Sequence, residues 1–246
     1  MIRRHFHDVY FDLRSLGDFG VHVSGEAVFK SPEKVYESVE VPGKHGDLLL
    51  DTGRFSNLAV KYPAFILGDS QRDFADKIST FRNYVLSREG YVRLEDTYYP
   101  DEYRLARYSG PMDFDAIMLQ GGNFDLEFNA KPQKYLKVGN ARTEYISNDT
   151  IHNPTFFDAF PMLRIYGSGT VGLGQCTIQI TSHSFPYIDV DCDLMDAYYS
   201  ATNCNNLVTF IVPDGKNNIY LHEGDNGLTL GTGITKVIVQ PRWWIV

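Results

Sequence analysis

Few residues in this sequence have types and spacings that could do chemistry, and each pattern lacks something the chemistry requires. Gly167 to Gly172, GSGTVG, has the G-x-G-x-x-G spacing of a dinucleotide-binding loop. Such a loop works between a strand and a helix, because the helix N-terminus holds the pyrophosphate. Here the strand-like run LGQCTIQI follows, so the segment reads as a glycine-rich hairpin turn. Asp189, Asp191 and Asp193 alternate in IDVDCDLMD and would share one face of a strand, where three carboxylates could bind Ca2+. The EF-hand pattern fails, with Leu194 at its sixth position and Ser200 at its twelfth. The segment reads instead as a solvated acidic strand face or turn. Ser31 and Lys34 satisfy Ser-x-x-Lys, but the Ser-Asp-Asn and Lys-Thr-Gly partners are absent, and there is no Gly-x-Ser-x-Gly elbow. The seven histidines form no His-Glu-x-x-His pair. His5 and His7 alternate on an N-terminal strand, which suits solvent or interface packing. Cys176, Cys192 and Cys204 are odd in number and lack Cys-x-x-Cys spacing. They are expected to be reduced, buried thiols, as in a chain made in a cytoplasm. Paired carboxylates for glycoside hydrolysis have no support beyond the abundance of acids. No catalytic, cofactor-binding or metal-ligating residue is assigned.

The elements that would have to position these residues are mostly strands. A chain of 246 residues is long enough for one large domain or two small ones. Its 16 Tyr, 16 Phe, 21 Gly and 11 Pro favour strands and turns. Alternation is clearest in 58–62, 123–128, 177–180 and 236–240. One long helix is expected over Ser70 to Arg88, with Phe74, Ile78, Phe81, Val85 and Leu86 as its apolar stripe. Asp69 or Ser70 caps it, Ser70 and Asp73 form a loose capping box, and Gly90 supplies a left-handed stop. Of the 23 basic and 31 acidic residues, 17 and 21 lie in the first 134 positions. The remainder is charge-poor and rich in Thr, Asn, Gly and Ile. This shift, beside the turn-prone AKPQKYLKVGN at 130–140, divides the chain into domains 1–134 and 135–246. The net charge of -8 argues against a phosphate-tracking nucleic-acid binder. No apolar run approaches a membrane span, and MIRRHFHDVYFDLR does not read as a signal peptide.

Several stretches, in order, carry a resemblance. They are FHDVYFDLRSLGDFGVHVSG (6–25), VPGKHGDLLLDTGRFSNLAVKY (41–62), YVRLEDTYYPDEYRLARYSGP (91–111), IDVDCDLMDAYYSATNCNNLV (188–208), VPDGKNNIYL (212–221) and TKVIVQPRWW (235–244). Together they resemble the distal tail protein (Dit) family of long-tailed, non-contractile bacteriophages. The resemblance implies a mainly β protein in two parts: an N-terminal β-barrel or sandwich-like domain (1–134) with one flanking helix, and a C-terminal galectin-like β-sandwich (135–246). It implies a non-enzymatic tail-tip hub in the virion, forming a homohexameric ring that joins tail tube to tip and anchors the host-adhesion apparatus. The implied partners are further copies of the chain, the tail tube protein, the tape measure protein, the tail-associated tip protein and receptor-binding or baseplate proteins. DNA is met only in transit through the channel, and no cofactor or membrane is involved.

The residues matching the family's motifs are given structural roles. Pro42, Gly43 and Gly46 read as a tight turn, with Gly53 closing the next loop, and Asp51 is a further structural motif residue. Tyr98, Tyr99, Pro100 and Asp101 read as a turn with aromatic packing, with an inter-subunit contact as the alternative, and Leu94 and Asp96 are motif residues preceding it. Asp191, Cys192, Met195, Asp196 and Trp243 serve packing and turns. The hexamer and partner contacts are not assigned to residues. Galectins bind sugar through His-x-Asn-x-Arg and Trp-x-x-Glu, whereas here His152 and Asn153 are adjacent and would point to opposite faces. Trp243 and Trp244 have no Glu behind them and read as closing the sandwich core and the domain junction. The alternative is a carbohydrate-binding adhesion module that touches the host surface directly, and a more distant rival is a tail-tip hydrolase.

Overall fold

A computed structural model describes residues 7–24, 30–112, 115–118 (backbone alone), 121–213 and 215–246. The fold is mainly β. It divides into two compact units, one reaching Lys134 and one spanning Tyr135–Ile245.

In the first unit the strands are β1 (Val9–Phe11), β2 (Arg14–Ser15), β3 (Val21–Val23), β4 (Lys34–Val39), β5 (Leu48–Phe55), β6 (Leu58–Leu67), β7 (Val92–Asp96), β8 (Glu102–Tyr108), β9 (Asp115–Met118) and β10 (Gly121–Leu136), with one helix, α1 (Gln71–Leu86). The sheet runs in the order β2-β1-β7-β8-β10-β6-β3, with β9 against β10, and curls into a half-barrel. Period-two burial along β6 and β10 turns Leu58, Tyr62, Ala64, Ile66, Phe124, Leu126 and Phe128 into its core. Helix α1 covers that core with Phe81, Tyr84 and Val85, and Phe19 stacks on Tyr84 with ring centroids 4.6 Å apart. The β4–β5 hairpin forms a separate two-stranded sheet.

The helix departs from expectation at both ends of its pattern. Leu86 is 63 % exposed and Tyr84 takes its place, because at 100° per residue position 84 lies nearer the centre of the 74–78–81–85 stripe. Tyr84 is also held by its hydroxyl, which donates to the Phe11 carbonyl. Ser70 is the N-cap, accepting from Asp73 N at 3.2 Å, and the Asp73 carboxylate accepts from Asp69 N at 2.9 Å rather than from Ser70. At the other end Ser87 is the C-cap, in right-handed backbone, with its Oγ donating to Tyr84 O at 2.9 Å. Gly90 does have φ +70°, but beyond the helix stop.

The second unit contains β11 (Thr143–Tyr145), β12 (Asp149–Asn153), β13 (Met162–Gly167), β14 (Gly169–Leu173), β15 (Cys176–Ile180), β16 (Ile188–Asp191), β17 (Asp196–Tyr199), β18 (Thr202–Asn203), β19 (Val208–Ile211), β20 (Gly224–Leu230), β21 (Ile234–Gln240) and β22 (Trp244–Ile245). Two antiparallel sheets, β11-β21-β13-β16-β17-β18 and β12-β20-β14-β15-β19, contribute Leu163, Ile165, Val190 and Val239 from one side and Val171, Leu173, Ile178 and Leu228 from the other to a single core. This is a β-sandwich. Among the described residues no helix is long and apolar enough to cross a membrane.

GSGTVG is not a hairpin turn. β13 belongs to the first of these sheets and β14 to the second, so the chain switches sheets at Ser168. A second switch, from β20 to β21, passes beside it, and Ser168 N donates to Gly233 O at 3.2 Å. A Cβ on Gly167 would sit 2.1 Å from that carbonyl oxygen, and one on Gly233 2.2 Å from Ser168 O. The glycines are there because two backbone corners touch.

Candidate functional site

The acidic triplet is divided between two arginines. Asp189 and Asp191 share β16, and each faces a guanidinium that alternation could not reveal. Arg164, opposite Asp189 on β13, donates Nε and Nη2 to its two carboxylate oxygens at 2.7 and 3.0 Å and lies 4.0 Å over the Tyr187 ring. Arg242 donates Nη1 and Nη2 to Asp191 at 2.9 and 2.8 Å. Both pairs are bidentate and partly buried, so the expectation of a solvated acidic face is corrected. Asp193 lies past the strand end, and its backbone N–H donates to Asp191 Oδ1 at 3.0 Å.

The same fork closes the β16–β17 turn. Asp191 and Asp196 are the last cross-strand pair. Met195 takes φ +54° between them, and Asn218 donates to Cys192 O and Asp193 O at 3.0 and 2.8 Å. Asp196 accepts from Asn205 Nδ2 at 2.7 Å, and Asn205 Oδ1 accepts from Ala197 N at 2.6 Å. Cys192 and Trp243 lie in the core. Burial raises Asp191, but the hydrogen bond and charge of Arg242, with the Asp193 and Leu194 amides, outweigh it and hold the carboxyl below its ordinary range.

In the first unit the β7–β8 turn is organised by Asp96. Its Oδ1 accepts from Tyr98 N and Tyr99 N, both at 3.0 Å, and its Oδ2 from Tyr62 Oη at 2.8 Å. Burial and the Asp96 charge push the Tyr62 phenol well up, so it stays a donor. Leu94 is buried beneath this turn and Pro100 and Asp101 lie at its tip. Tyr98 stacks on His7 with ring centroids 3.7 Å apart. His5 lies outside the described residues. Pro42, Gly43 and Gly46 occupy the β4–β5 connection, where Gly43 and Gly46 have φ +79° and +80°. Gly53 does not close a loop. It sits inside β5 at φ +70°, where the register slips between Lys34 and Tyr36, and its amide donates to Asp51 Oδ1 at 2.8 Å. Gly53 therefore marks a bulge.

These arrangements fasten turns; they do not assemble reacting groups. Lys34 is hydrogen-bonded to Asp51, which raises its pKa and keeps it protonated, the opposite of what a Ser-x-x-Lys base needs. Burial pushes the Cys176 and Cys192 thiols up, away from thiolate. No group of three His, Cys, Asp or Glu that could hold a metal occurs among the described residues. A cleft in the first unit, lined by Tyr62, Asp96, Tyr99 and Arg104, measures about 180 Å³. His152 is exposed and meets Asp225 at 2.7 Å. Asn153 is buried and donates to Phe157 O and Leu221 O. The two do point to opposite faces. Trp243 joins the core, while Trp244 stacks on Phe157 at 4.3 Å and donates Nε1–H to Asp158 O.

The model of the phage tail protein RIFT-related domain matches residues 15–130, almost all of the half-barrel unit. That stretch is similar to the phage tail domain and spans a little under half of the chain. The match agrees with the resemblance drawn from the sequence motifs. The tail domain and the sandwich together have the fold of the phage SPP1 distal tail protein Dit, described as a paradigm of the hub adsorption apparatus in phages infecting Gram-positive bacteria. That likeness has a TM-score of 0.68 at 12 % identity, covering 98 % of this chain and 99 % of that one. A chain of the phage P2 baseplate, activated with Ca, aligns at 12 % identity over 98 % of each chain with a TM-score of 0.48. The Sr-activated p2 baseplate gives 12 %, 95 % and 97 % coverage, and 0.48. No curated protein sequence matches this chain.

Proposed function

We propose that this tail protein is the distal hub of a long, non-contractile tail, a hexameric ring joining tube to tip and anchoring the adhesion apparatus. The observation that carries the reading is the coincidence of a phage tail domain over residues 15–130 with a hub-protein fold across the whole chain. In this reading residues 1–134 form the ring and 135–246 a galectin-like sandwich that receives receptor-binding or baseplate proteins. The tail tube and tape measure proteins lie on one side and the tail-associated tip protein on the other. The role is structural, with no turnover. The turns bearing the family motifs are held by carboxylate caps and arginine forks, which suits a protein that works through fixed surfaces. A channel edged by part of the net charge of -8 would repel phosphate and let DNA slide. Asn153, the residue a galectin-type site would need outside, is spent inside on backbone carbonyls, so the adhesin reading gains nothing.

Mass photometry with negative-stain imaging, with and without the co-expressed tip protein, tests the reading. Open rings at six times the 28.0 kDa protomer are expected. A chain that stays monomeric even with its tip partner overturns it.

A further inference from the structure

Alternation along β8 puts Glu102 and Arg104 on the same face as Ala106, which is fully buried. Arg104 also lies opposite Leu94, itself 3 % exposed, so its side chain stands on the core side of the half-barrel, in the cleft bordered by Tyr62 and Asp96. A charge placed there normally has an opposite charge against it. The acids around it are already engaged. Glu95 is ion-paired with Arg93, Glu102 lies 3.6 Å from the Lys134 ammonium, and Asp96 accepts from two amides and the Tyr62 hydroxyl. Arg104 has no carboxylate at ion-pair distance among the described residues; Glu102 and Asp96 act on it from further away. Its Nη1 donates to Pro132 O at 2.9 Å, with Lys131 O at 3.5 Å. That leaves Nε and Nη2, and neither is sealed from solvent. Burial lowers the Arg104 pKa, whereas the hydrogen bond to Asp189 raises that of Arg164.

We propose that this cleft is a carboxylate-binding site. The open Nε–Nη2 edge of Arg104 takes both oxygens of the ligand, as the same edge of Arg164 takes Asp189. Lys30 supplies a second cation: it lines the cleft and donates to Ala59 O at 3.3 Å. Among the described residues neither cation has an ion pair to any group lining the cleft, Val246 included. The open valences are therefore those of donors, and they select an anion. Asp96 and Glu102, near enough to act on Arg104, favour a singly charged carboxylate over a doubly charged phosphate. Leu58, Val60 and Leu94 line the same cleft, which suits a short apolar stem behind the carboxylate. A free acid and the acidic side chain of a partner polypeptide both present that group.

The test titrates the full chain, at physiological salt, with butyrate, butyramide, inorganic phosphate and N-acetyl-glutamate amide, read by calorimetry and by the Arg104 Nε–H signal in nitrogen-15 NMR. Butyrate is expected to saturate with a Kd of about 1 mM and to slow exchange of the Nε proton, with butyramide about 10-fold weaker. Arg104→Lys keeps the charge and a donor for Pro132 O but loses the fork, and is expected to weaken butyrate about 10-fold. Lys30→Ala removes an exposed side chain and is expected to weaken it about 3-fold. N-acetyl-glutamate amide bound at least as tightly as butyrate supports the site and assigns it to a polypeptide carboxylate; butyrate bound alone supports it as a site for free acids. Butyramide or phosphate bound as tightly as butyrate overturns the carboxylate assignment. No saturation by about 50 mM, or a butyrate affinity unmoved by both variants, overturns the site. If Arg104→Lys fails to fold, Lys30→Ala and the wild-type Nε–H signal decide between the same outcomes.

Discussion

Replacing Asp191 by Ala would strip the β16–β17 turn of its fastener, and the structure sets the size of the effect. The Asp191 and Arg242 side chains are 16 and 22 % exposed, so removing one strands the other in a poorly solvated site. Breaking a buried pair this way costs about 3–5 kcal/mol, and partial exposure puts this one near about 3. Losing the acceptor for the Asp193 and Leu194 amides adds roughly 1 kcal/mol. For a unit of this size the sum corresponds to a fall of about 12–16 °C in Tm. Both tryptophans, Trp243 and Trp244, lie in the second unit, so fluorescence follows its unfolding selectively. Asp191→Asn, which keeps one acceptor oxygen, is expected to lose about 2 kcal/mol. Asp191→Leu/Arg242→Met removes both charges and is expected within about 1 kcal/mol of wild type, since a buried pair is worth little against apolar groups of similar size. The pH sign follows from the depressed carboxyl. Its contribution is fully present above the unfolded carboxylate value of about 3.9 and is lost as pH falls through the lower folded value. Acid melts of wild type and Asp191→Asn should therefore converge at low pH. A loss below about 1 kcal/mol for Asp191→Ala, or a double variant equal to the sum of its singles, refutes the fork as the fastener.

Two further outcomes follow from the turns. Gly167→Ala forces a methyl to within 2.1 Å of the Gly233 carbonyl oxygen and is expected to abolish soluble folding of the sandwich. Gly43→Ala meets nothing within 4 Å and is expected to cost only about 1 kcal/mol for its positive φ; the tryptophan signal of the first and a whole-chain melt of the second check the contrast. Asp96→Ala is expected to release the Tyr98 and Tyr99 amides to fast hydrogen exchange, whereas Tyr62→Phe keeps them protected and costs roughly 1 kcal/mol. Equal exchange in the two variants would show that the phenol, and not the carboxylate–amide bonds, holds the turn.

Local pattern was enough for much of this protein. The stripe at 74, 78, 81 and 85 dictates a helix with one buried side, and alternation in 58–62, 123–128, 177–180 and 236–240 dictates strands, because each depends on neighbours within a few residues. The absence of a helix after GSGTVG removes dinucleotide binding on the same local grounds. The order of the motif stretches led to the phage tail family. What stayed hidden depends on contacts between distant parts of the chain. That GSGTVG switches sheets instead of closing a hairpin is decided by the corner at Gly233, 66 residues from Gly167. That Asp189 and Asp191 lie against arginines depends on Arg164 and Arg242, 25 and 51 residues away. That Leu48–Leu50 lie outside both cores depends on a hairpin which pairs with no other strand among the described residues, although their apolarity reads locally like an ordinary buried strand. Periodicity shows which side of an element is apolar. What meets that side depends on which distant strands become neighbours, and only the folded sheets decide that.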